Sequence, residues 1–348
     1  MSGKTTVLGL MSGSSLDGLD ICKVVLEETK GWHYQILKTQ TLDYPEEISQ
    51  KLASSPSMGG ADLFALDIEF GQWIARALKP FMKKVDLIAL HGHTVFHKPA
   101  RGFSLQIGNP QKMATMLKTP VVADFRNTDI LLGGQGAPLV PFGERALFAE
   151  YDAFLNLGGI CNLTVRKNNE WLAGDIGPFN QVLNHLAAKR NQPFDKEGEL
   201  AAAGQDKMDL MCRWSQMAFF KEAFPKSLDN FFASEVLNEV KGISAEDALH
   251  TYTSFIIFQM ATRLNEMHVA KVMVSGGGTW NTYAMQQLRS KTTAEVVIPD
   301  KQLVDFKEAL IFALLGLLKY QGRINVMSSC TGARMDSSSG VVFTGGVN

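Results

Sequence analysis

Apolar positions along the chain follow two rhythms, one of strands and one of helices. Near the start, Val7, Leu8 and Leu10, and then Ile21, Val24, Val25 and Leu26, form two short β-favouring runs. They flank Gly9-Leu10-Met11-Ser12-Gly13-Ser14-Ser15-Leu16-Asp17-Gly18-Leu19-Asp20, so the pattern predicts a β-hairpin with a polar, glycine-bearing connection. Residues 32–42 read as a third strand, entered through Gly31. Helical spacing then takes over: Leu63, Leu66, Phe70, Trp73, Ile74 and Ala77 share one face of a helix predicted over 61–82. A buried strand over 85–90 leads into His91-Gly92-His93-Thr94-Val95-Phe96-His97. A helix over about 109–117 and a strand over 121–125 follow. After them come Arg126-Asn127-Thr128-Asp129 and the glycine-rich run 133–138, where a domain boundary is expected.

The order of elements then repeats. An apolar strand over 153–157 meets the small-residue turn Gly158-Gly159-Ile160-Cys161-Asn162, a second strand leaves it, and a third over 171–173 ends at Gly174-Asp175-Ile176-Gly177-Pro178. Each half thus opens with strand, glycine turn, strand, strand, then helices, an architecture shared without close identity of letters. The remainder is helix-rich. A long helix over 245–267 precedes a strand over 271–274, which runs into Ser275-Gly276-Gly277-Gly278-Thr279-Trp280-Asn281. Ligands of α/β sheets sit at such strand–glycine–helix junctions. A strand over 295–298 and an apolar helix over 307–320 follow, and the Ser- and Gly-rich end, 328–348, is expected to be loose or laid back over the other domain.

Composition narrows the class. With 348 residues the chain exceeds one ordinary core, so two domains are expected, divided as 1–128 and 129–348. An apolar share of 45%, a charged share of 20% and a net charge of −1 describe a soluble globular protein without a basic field for nucleic acid. Cys22, Cys161, Cys212 and Cys330 are scattered, which fits a reducing compartment and neither a disulfide framework nor a zinc knuckle. The apolar run over 7–11 is too short for a signal sequence, and the run over 309–318 falls short of the ~20 residues of a membrane span. A cytoplasmic protein without membrane or nucleic-acid partners is expected.

The opening turn carries the most chemistry. A chain reversal needs about two residues; this connection is longer and offers three hydroxyls (Ser12, Ser14, Ser15) and two carboxylates (Asp17, Asp20). Successive main-chain amides there form a nest for phosphate. Asp17 and Asp20 repel bare phosphate, and fit only with a divalent cation between, held partly through water as Mg²⁺ prefers. Neither a Gly-x-x-x-x-Gly-Lys-Ser/Thr loop nor Gly-x-Gly-x-x-Gly after a strand is present, so a nucleotide would rest on three separate glycine elements, 13–18, 158–159 and 276–278. His91 and His93 share a face if extended, which is zinc-like, but no third ligand has the usual spacing, and the run is otherwise a loop with Thr94 and His97 as donors. Asp124 and Arg126 read either as a local ion pair or with Arg126 as a fork for a carboxylate. Asp175 ends a strand before a helix, as a catalytic carboxylate or as helix N-terminal charge, and Glu308 is the charge at the head of the last apolar helix.

Met11 to Asp20 resembles the first phosphate motif of the anhydro-N-acetylmuramic acid kinases, which belong to the actin, hexokinase and heat-shock-chaperone ATPase superfamily. The resemblance runs over about 6–336 and includes 125–129, 133–141, 156–164 and Pro225-Lys226-Ser227. It implies an α/β, duplicated RNase H-like two-domain fold with a central nucleotide cleft that closes on its substrates, and ATP and Mg²⁺ as cofactors. It implies that Gly13, Ser14, Ser15, Leu16, Asp17, Gly18, Leu19 and Asp20 hold phosphate and metal. Gly158 and Gly159 then form the second phosphate turn, and Gly276, Gly277, Gly278 and Asn281 line the adenosine side. Thr94, His97, Arg126 and Glu308 become sugar contacts, and Asp175 the general base for an attacking water.

The family reaction opens the 1,6-anhydro bond of the amino sugar with water and phosphorylates the freed O6, in peptidoglycan recycling. A plain sugar kinase and a non-catalytic sugar sensor on the same scaffold are the rivals, and a homodimer is left open. Departures from the family pattern are Ser14 for Thr, His93 for Gln, Ile176 for Thr, Phe179 for Gly, and Leu228-Asp229-Asn230-Phe231 for Thr-Gly-Arg-Glu.

Overall fold

The structure, a computed structural model, describes residues 3–13, 16, 18–228 and 232–346. Two compact units divide the chain, residues 1–149 with 306–348, and residues 150–305. This differs from the division expected near residue 128. The helix Val140–Leu147 and most of the last long helix, Lys301–Tyr320, belong with the first sheet, where Lys307 is paired with Glu144 inside the same unit.

The first unit is built on β1 (Thr5–Ser12), β2 (Leu19–Glu28), β3 (Trp32–Leu42), β4 (Leu87–Leu90) and β7 (Val121–Ala123), with β5 (His93–Lys98) and β6 (Phe103–Ile107) as a separate ribbon. The main sheet runs β3-β2-β1-β4-β7, extended by Val341–Phe343 paired antiparallel to β7. β1 and β2 pair antiparallel from Thr5↔Leu26 to Ser12↔Leu19, which places the polar turn at one end of the hairpin. Burial alternates along β2, and Leu8, Leu10, Leu19 and Ile21 enter a core with Phe70, Ile74 and Leu90. The Ser/Gly-rich end adds an edge strand to this sheet, and Thr331 Oγ1 donates to buried Asp129 (2.7 Å).

The second unit is built on β8 (Ala153–Leu157), β9 (Ile160–Lys167), β10 (Glu170–Pro178), β11 (Lys271–Ser275) and β12 (Glu295–Val297). Its order is β10-β9-β8-β11-β12, with β8–β9–β10 antiparallel and β11 and β12 parallel to β8 and β11 respectively. Numbered along the main sheet of each unit, with the ribbon left aside, both sheets therefore read 3-2-1-4-5, so the repetition expected from the sequence is present as topology. The helix Ala245–Glu266 buries Leu249, Tyr252, Phe255, Ile256, Met260 and Leu264 against this sheet's core. No helix among the described residues is long and apolar enough to cross a membrane.

Three sequence expectations are corrected here. Residues 174–178, where the third strand of this half is expected to end, continue β10, with a bulge between Asp175 and Gly177. Residues 93–98, expected as a loop, form a strand because β6 supplies a partner. The last helix starts at Lys301, so Glu308 lies two turns inside it rather than at its head.

Candidate active site

In the first unit, the hairpin turn joins the ends of β1 and β2. Ser14, Ser15 and Asp17 lie outside the described residues. Leu19 is buried in the core, Leu16 has a left-handed backbone (φ 61°), and Gly18 has φ 148°. Asp20 is the second residue of β2, opposite Met11, and its Oδ1 accepts from Thr41 Oγ1 (2.6 Å). Tyr44 donates from its phenol to Ser12 Oγ (2.8 Å), and burial pushes that phenol up to about 12. Gly13 meets the ribbon: its backbone hydrogen bonds with the His93 ring, partly offsetting the burial that holds this imidazole below its ordinary pKa.

Thr94 and His97 stand on β5, opposite Gln106 and Ser104 of β6. Gln106 Nε2 donates to Thr94 Oγ1 (3.1 Å) and Ser104 Oγ (2.8 Å), and His97 Nδ1 lies 3.1 Å from Ser104 Oγ. Asn127 clasps the ribbon, with Oδ1 accepting from Ser104 N and Nδ2 donating to Ser104 O. No group of three or more potential metal ligands occurs among the described residues.

Arg126 turns to neutral partners rather than to Asp124. Its Nη1 donates to the Gly136 carbonyl (2.8 Å) and its Nη2 to His91 Nε2 (2.7 Å), while its buried Nε has no hydrogen-bond partner among the described residues. Burial brings the guanidinium down to about 10, opposed by the nearby charge of Glu308, so it stays a cation at neutral pH. Asp124 has a left-handed backbone (φ 57°) and accepts from Asn127 Nδ2 (2.6 Å). Glu308 shares this neighbourhood. Burial raises its carboxyl pKa, Lys307 and Arg126 pull it down, and the charges of Glu144 and Asp20 push it up. A cavity of about 400 Å³ opens beside His91, lined also by Leu63, Phe64, Gln106, Asp124 and Asn127.

In the second unit, Gly158 and Gly159 form the turn between β8 and β9. Their carbonyls accept from Asn180 N (3.1 Å), Phe179 N (2.7 Å) and Gln181 N (3.1 Å), which ties the turn to the start of the helix Asn180–Ala188. Asp175 faces Asn162 across β10 and β9. The segment 226–228 fixes it twice: Asp175 N donates to the Lys226 carbonyl (2.7 Å), and Asp175 Oδ2 accepts from Leu228 N (2.9 Å). Gly174 permits that approach, since a Cβ there would stand 2.8 Å from Lys226 N and 2.9 Å from Lys226 O. Burial raises the Asp175 carboxyl pKa, and the Leu228 amide offsets part of the rise by stabilising the anion. Lys226 is anchored by a hydrogen bond from its ammonium to the Phe219 carbonyl and lies 4.0 Å from that ring's centroid. Burial lowers it to about 8.

At the end of β11, Gly276 adopts φ 85°, and a Cβ would lie 2.6 Å from Asn156 Oδ1, so only glycine fits. A single 3₁₀ turn, Gly277–Trp280, follows, and Asn281 Oδ1 caps the helix Thr282–Lys291 by accepting from Ala284 N (2.9 Å). Gly277, Gly278 and Asn281 line a pocket of about 360 Å³ with Asn184, Phe194 and Trp280. Trp280 is 45% exposed with Lys301 Nζ 5.7 Å from its ring centroid, which presents an aromatic face at the pocket.

Within the first unit, the structure therefore groups Arg126 and Glu308 as interacting charges and connects Gly13 with His93. Within the second, it groups Gly277, Gly278 and Asn281 around one pocket and fixes Asp175 separately. Sequence reasoning missed His91 as the partner of Arg126, Asn127 as the clasp of the ribbon, and the 226–228 segment as the holder of Asp175. Only the last had a signal, the Pro225-Lys226-Ser227 motif.

The profile of the family described as anhydro-N-acetylmuramic acid kinase matches residues 5–345. The anhydro-N-acetylmuramic acid kinase of Paramagnetospirillum magneticum is 35% identical over 353 residues, covering 96% of this chain and 98% of that one. That of Parasynechococcus marenigrum is 33% identical over 376 residues, covering 96% and 98%. Among solved structures, component A of the Acidaminococcus fermentans (R)-2-hydroxyglutaryl-CoA dehydratase superposes with a TM-score of 0.45 at 14% identity, over 91% of this chain and 99% of that one, too loosely to carry an argument.

Proposed function

The chain belongs to the anhydro-N-acetylmuramic acid kinase family, and from that premise we propose an ATP-dependent kinase of murein recycling that opens 1,6-anhydro-N-acetylmuramic acid with water and phosphorylates O6. The product is N-acetylmuramic acid 6-phosphate. The observation that carries the reading is Asp175: a carboxylate held at main chain and side chain by 226–228, its pKa raised by burial toward the range of a useful base.

Asp175 takes a proton from water as the water oxygen bonds to the anomeric carbon. The bond from that carbon to O6 breaks, O6 bonds to the γ-phosphorus, and the bond from that phosphorus to ADP breaks. An inverting glycosidase needs a base and an acid for the leaving oxygen; here phosphoryl capture of O6 stands in for protonation, so one carboxylate suffices. Arg126, whose Nε has no partner among the described residues, serves the sugar's lactyl carboxylate, and Thr94, His97 and Glu308 serve its hydroxyl and amide groups. The pocket at Gly277, Gly278 and Asn281 serves adenosine, with Gly276 shaping its entrance loop. Gly13 to Asp20, with Gly158 and Gly159, serve the phosphates.

Asp20 and Glu308 fit a cation, because the charge of Asp20 adds to the burial that disfavours ionisation of Glu308, and a positive ion beside them would offset both. Asp20, with Asp17 by family resemblance, would hold Mg²⁺, in part through water, and the ion when bound neutralises phosphate charge.

The test is turnover in oxygen-labelled water. Label on the anomeric hydroxyl and none in the transferred phosphate is expected. Label in phosphate, or turnover of the ring-opened sugar alone, would replace this reading with ATP hydrolysis or a plain sugar kinase.

A further inference from the structure

We infer that His91 is a positioning residue for Arg126: a neutral imidazole that aims the guanidinium while leaving its whole charge for an anionic group on the sugar. The inference rests on the reading of Arg126 given above and assigns the residue that makes it work.

The tautomer follows from the partners. His91 Nδ1 lies 2.8 Å from the Gly92 carbonyl, which can only accept, so Nδ1 carries the hydrogen. His91 Nε2 lies 2.7 Å from Arg126 Nη2, which can only donate, so Nε2 carries a lone pair. A protonated ring would set an N–H against an N–H. Burial, Arg126 and His93 all hold the His91 pKa well below its ordinary value, against the opposing Gly92 hydrogen bond, so the neutral form persists. Phe312 packs on the ring at 4.7 Å between centroids and fixes its plane.

The consequence is electrostatic. Buried arginines are usually held by carboxylates, which cancel their charge. Both groups that orient Arg126 here, the His91 lone pair and the Gly136 carbonyl, are uncharged. Two of the guanidinium nitrogens are thus spent on orientation, while the charge and the Nε hydrogen are not. Glu308 acts on Arg126 through its charge alone, with no hydrogen bond joining the two among the described residues, so the pairing of a tight ion pair is absent.

The experiment compares 1,6-anhydro-N-acetylmuramic acid with 1,6-anhydro-N-acetylglucosamine, the same ring without the lactyl carboxylate. His91→Leu removes the acceptor and keeps apolar packing; the KM for the lactyl sugar should rise about tenfold, the equivalent of one hydrogen bond of ~1.4 kcal/mol. The kcat, and the KM for the lactyl-free sugar, should change far less. Gln reaches the Nε2 position and Asn only the Nδ1 position, so His91→Gln should restore the lactyl preference and His91→Asn should not. That polar pair decides the matter if the Leu variant fails to fold, and calorimetric binding of an ATP analogue checks integrity. Equal KM rises for both sugars, or identical behaviour of Gln and Asn, would overturn the inference and leave only a packing role. Arg126→Leu separates the two levels. If it leaves the sugar preference unchanged, the reading of Arg126 itself fails; if it abolishes the preference while the His91 variants do not, only the role of His91 fails.

Discussion

Lys307 Nζ stands 2.6 Å from Glu144 Oε1, with both side chains almost wholly excluded from solvent. Glu144 Oε2 has no hydrogen-bond partner among the described residues, so the carboxylate depends on this one ammonium. Removing one member of a buried pair strands the other charge, which costs about 3–5 kcal/mol. Lys307→Met should therefore lower the denaturation midpoint substantially, whereas the double variant Lys307→Met/Glu144→Leu should recover much of the loss. Urea unfolding monitored by circular dichroism checks both, and equal stability of the single and double variants would contradict the account.

In its proposed role as the base, Asp175 sets an acid limit on turnover. Burial raises its pKa in the folded protein, so the base is lost by protonation at a higher pH than an exposed aspartate would require. The pH profile of kcat/KM should fall on the acid side with a midpoint above the ordinary aspartate value of 3.8. Asp175→Asn should lower kcat by about 10²–10⁴-fold and abolish that limb, with opened sugar and ADP falling together. A variant that transfers phosphate to the sugar at near-normal rate would remove Asp175 from the mechanism.

The approach of Gly174 to Lys226 supplies a test away from any reacting group. Ala at position 174 drives a methyl to within 3 Å of main-chain atoms, so the 226–228 segment must shift and Asp175 with it. Misplacement of about 1 Å costs on the order of 10²-fold in rate. Gly174→Ala should reduce kcat steeply while ATP-analogue affinity, measured by calorimetry, stays within a few-fold.

Gly276 is constrained by backbone and space together. Its positive φ and the 2.6 Å to Asn156 Oδ1 make Gly276→Ala costly by about 1–3 kcal/mol. Since Gly277 and Gly278 continue that loop into the pocket, nucleotide affinity should drop in the variant without loss of sugar binding. Unchanged affinity for ATP would move the adenosine elsewhere.

Asp20→Asn removes one carboxylate from the opening turn and relieves the repulsion on Glu308. Nucleotide affinity should weaken in the presence of Mg²⁺ and change little in EDTA. An equal effect in both conditions would assign Asp20 a structural role, such as its hydrogen bond from Thr41, rather than a metal-binding one.

Much of the fold was legible because strand and helix periods are local. The three-strand opening of each half, the glycine turns and the long helix Ala245–Glu266 follow from apolar spacing and small-residue breaks. What escaped was set by distant partners. β5 exists because β6 faces it, and β10 runs past Gly174 because the 226–228 segment braces its bulged end. Glu308 read as a helix head because Lys301, Gln302 and Asp305 make a polar first turn without apolar rhythm. The site was legible as residue types, Asp175 and Arg126 above all. Their holders were not, since a carbonyl at Gly136 or an amide at Leu228 leaves no mark in the letters.

The discontinuous first unit also orders events during synthesis. Residues 150–305 form an uninterrupted unit, whereas the sheet begun at β1 lacks its closing helix until the segment beyond residue 306 leaves the ribosome. A nascent chain would thus complete its second half before its first, with Gly9, Ala89, Phe125 and Glu144 waiting for the helix that packs on them. Chaperone demand and susceptibility to early truncation should concentrate on the amino-terminal sheet for that reason, although it is made first.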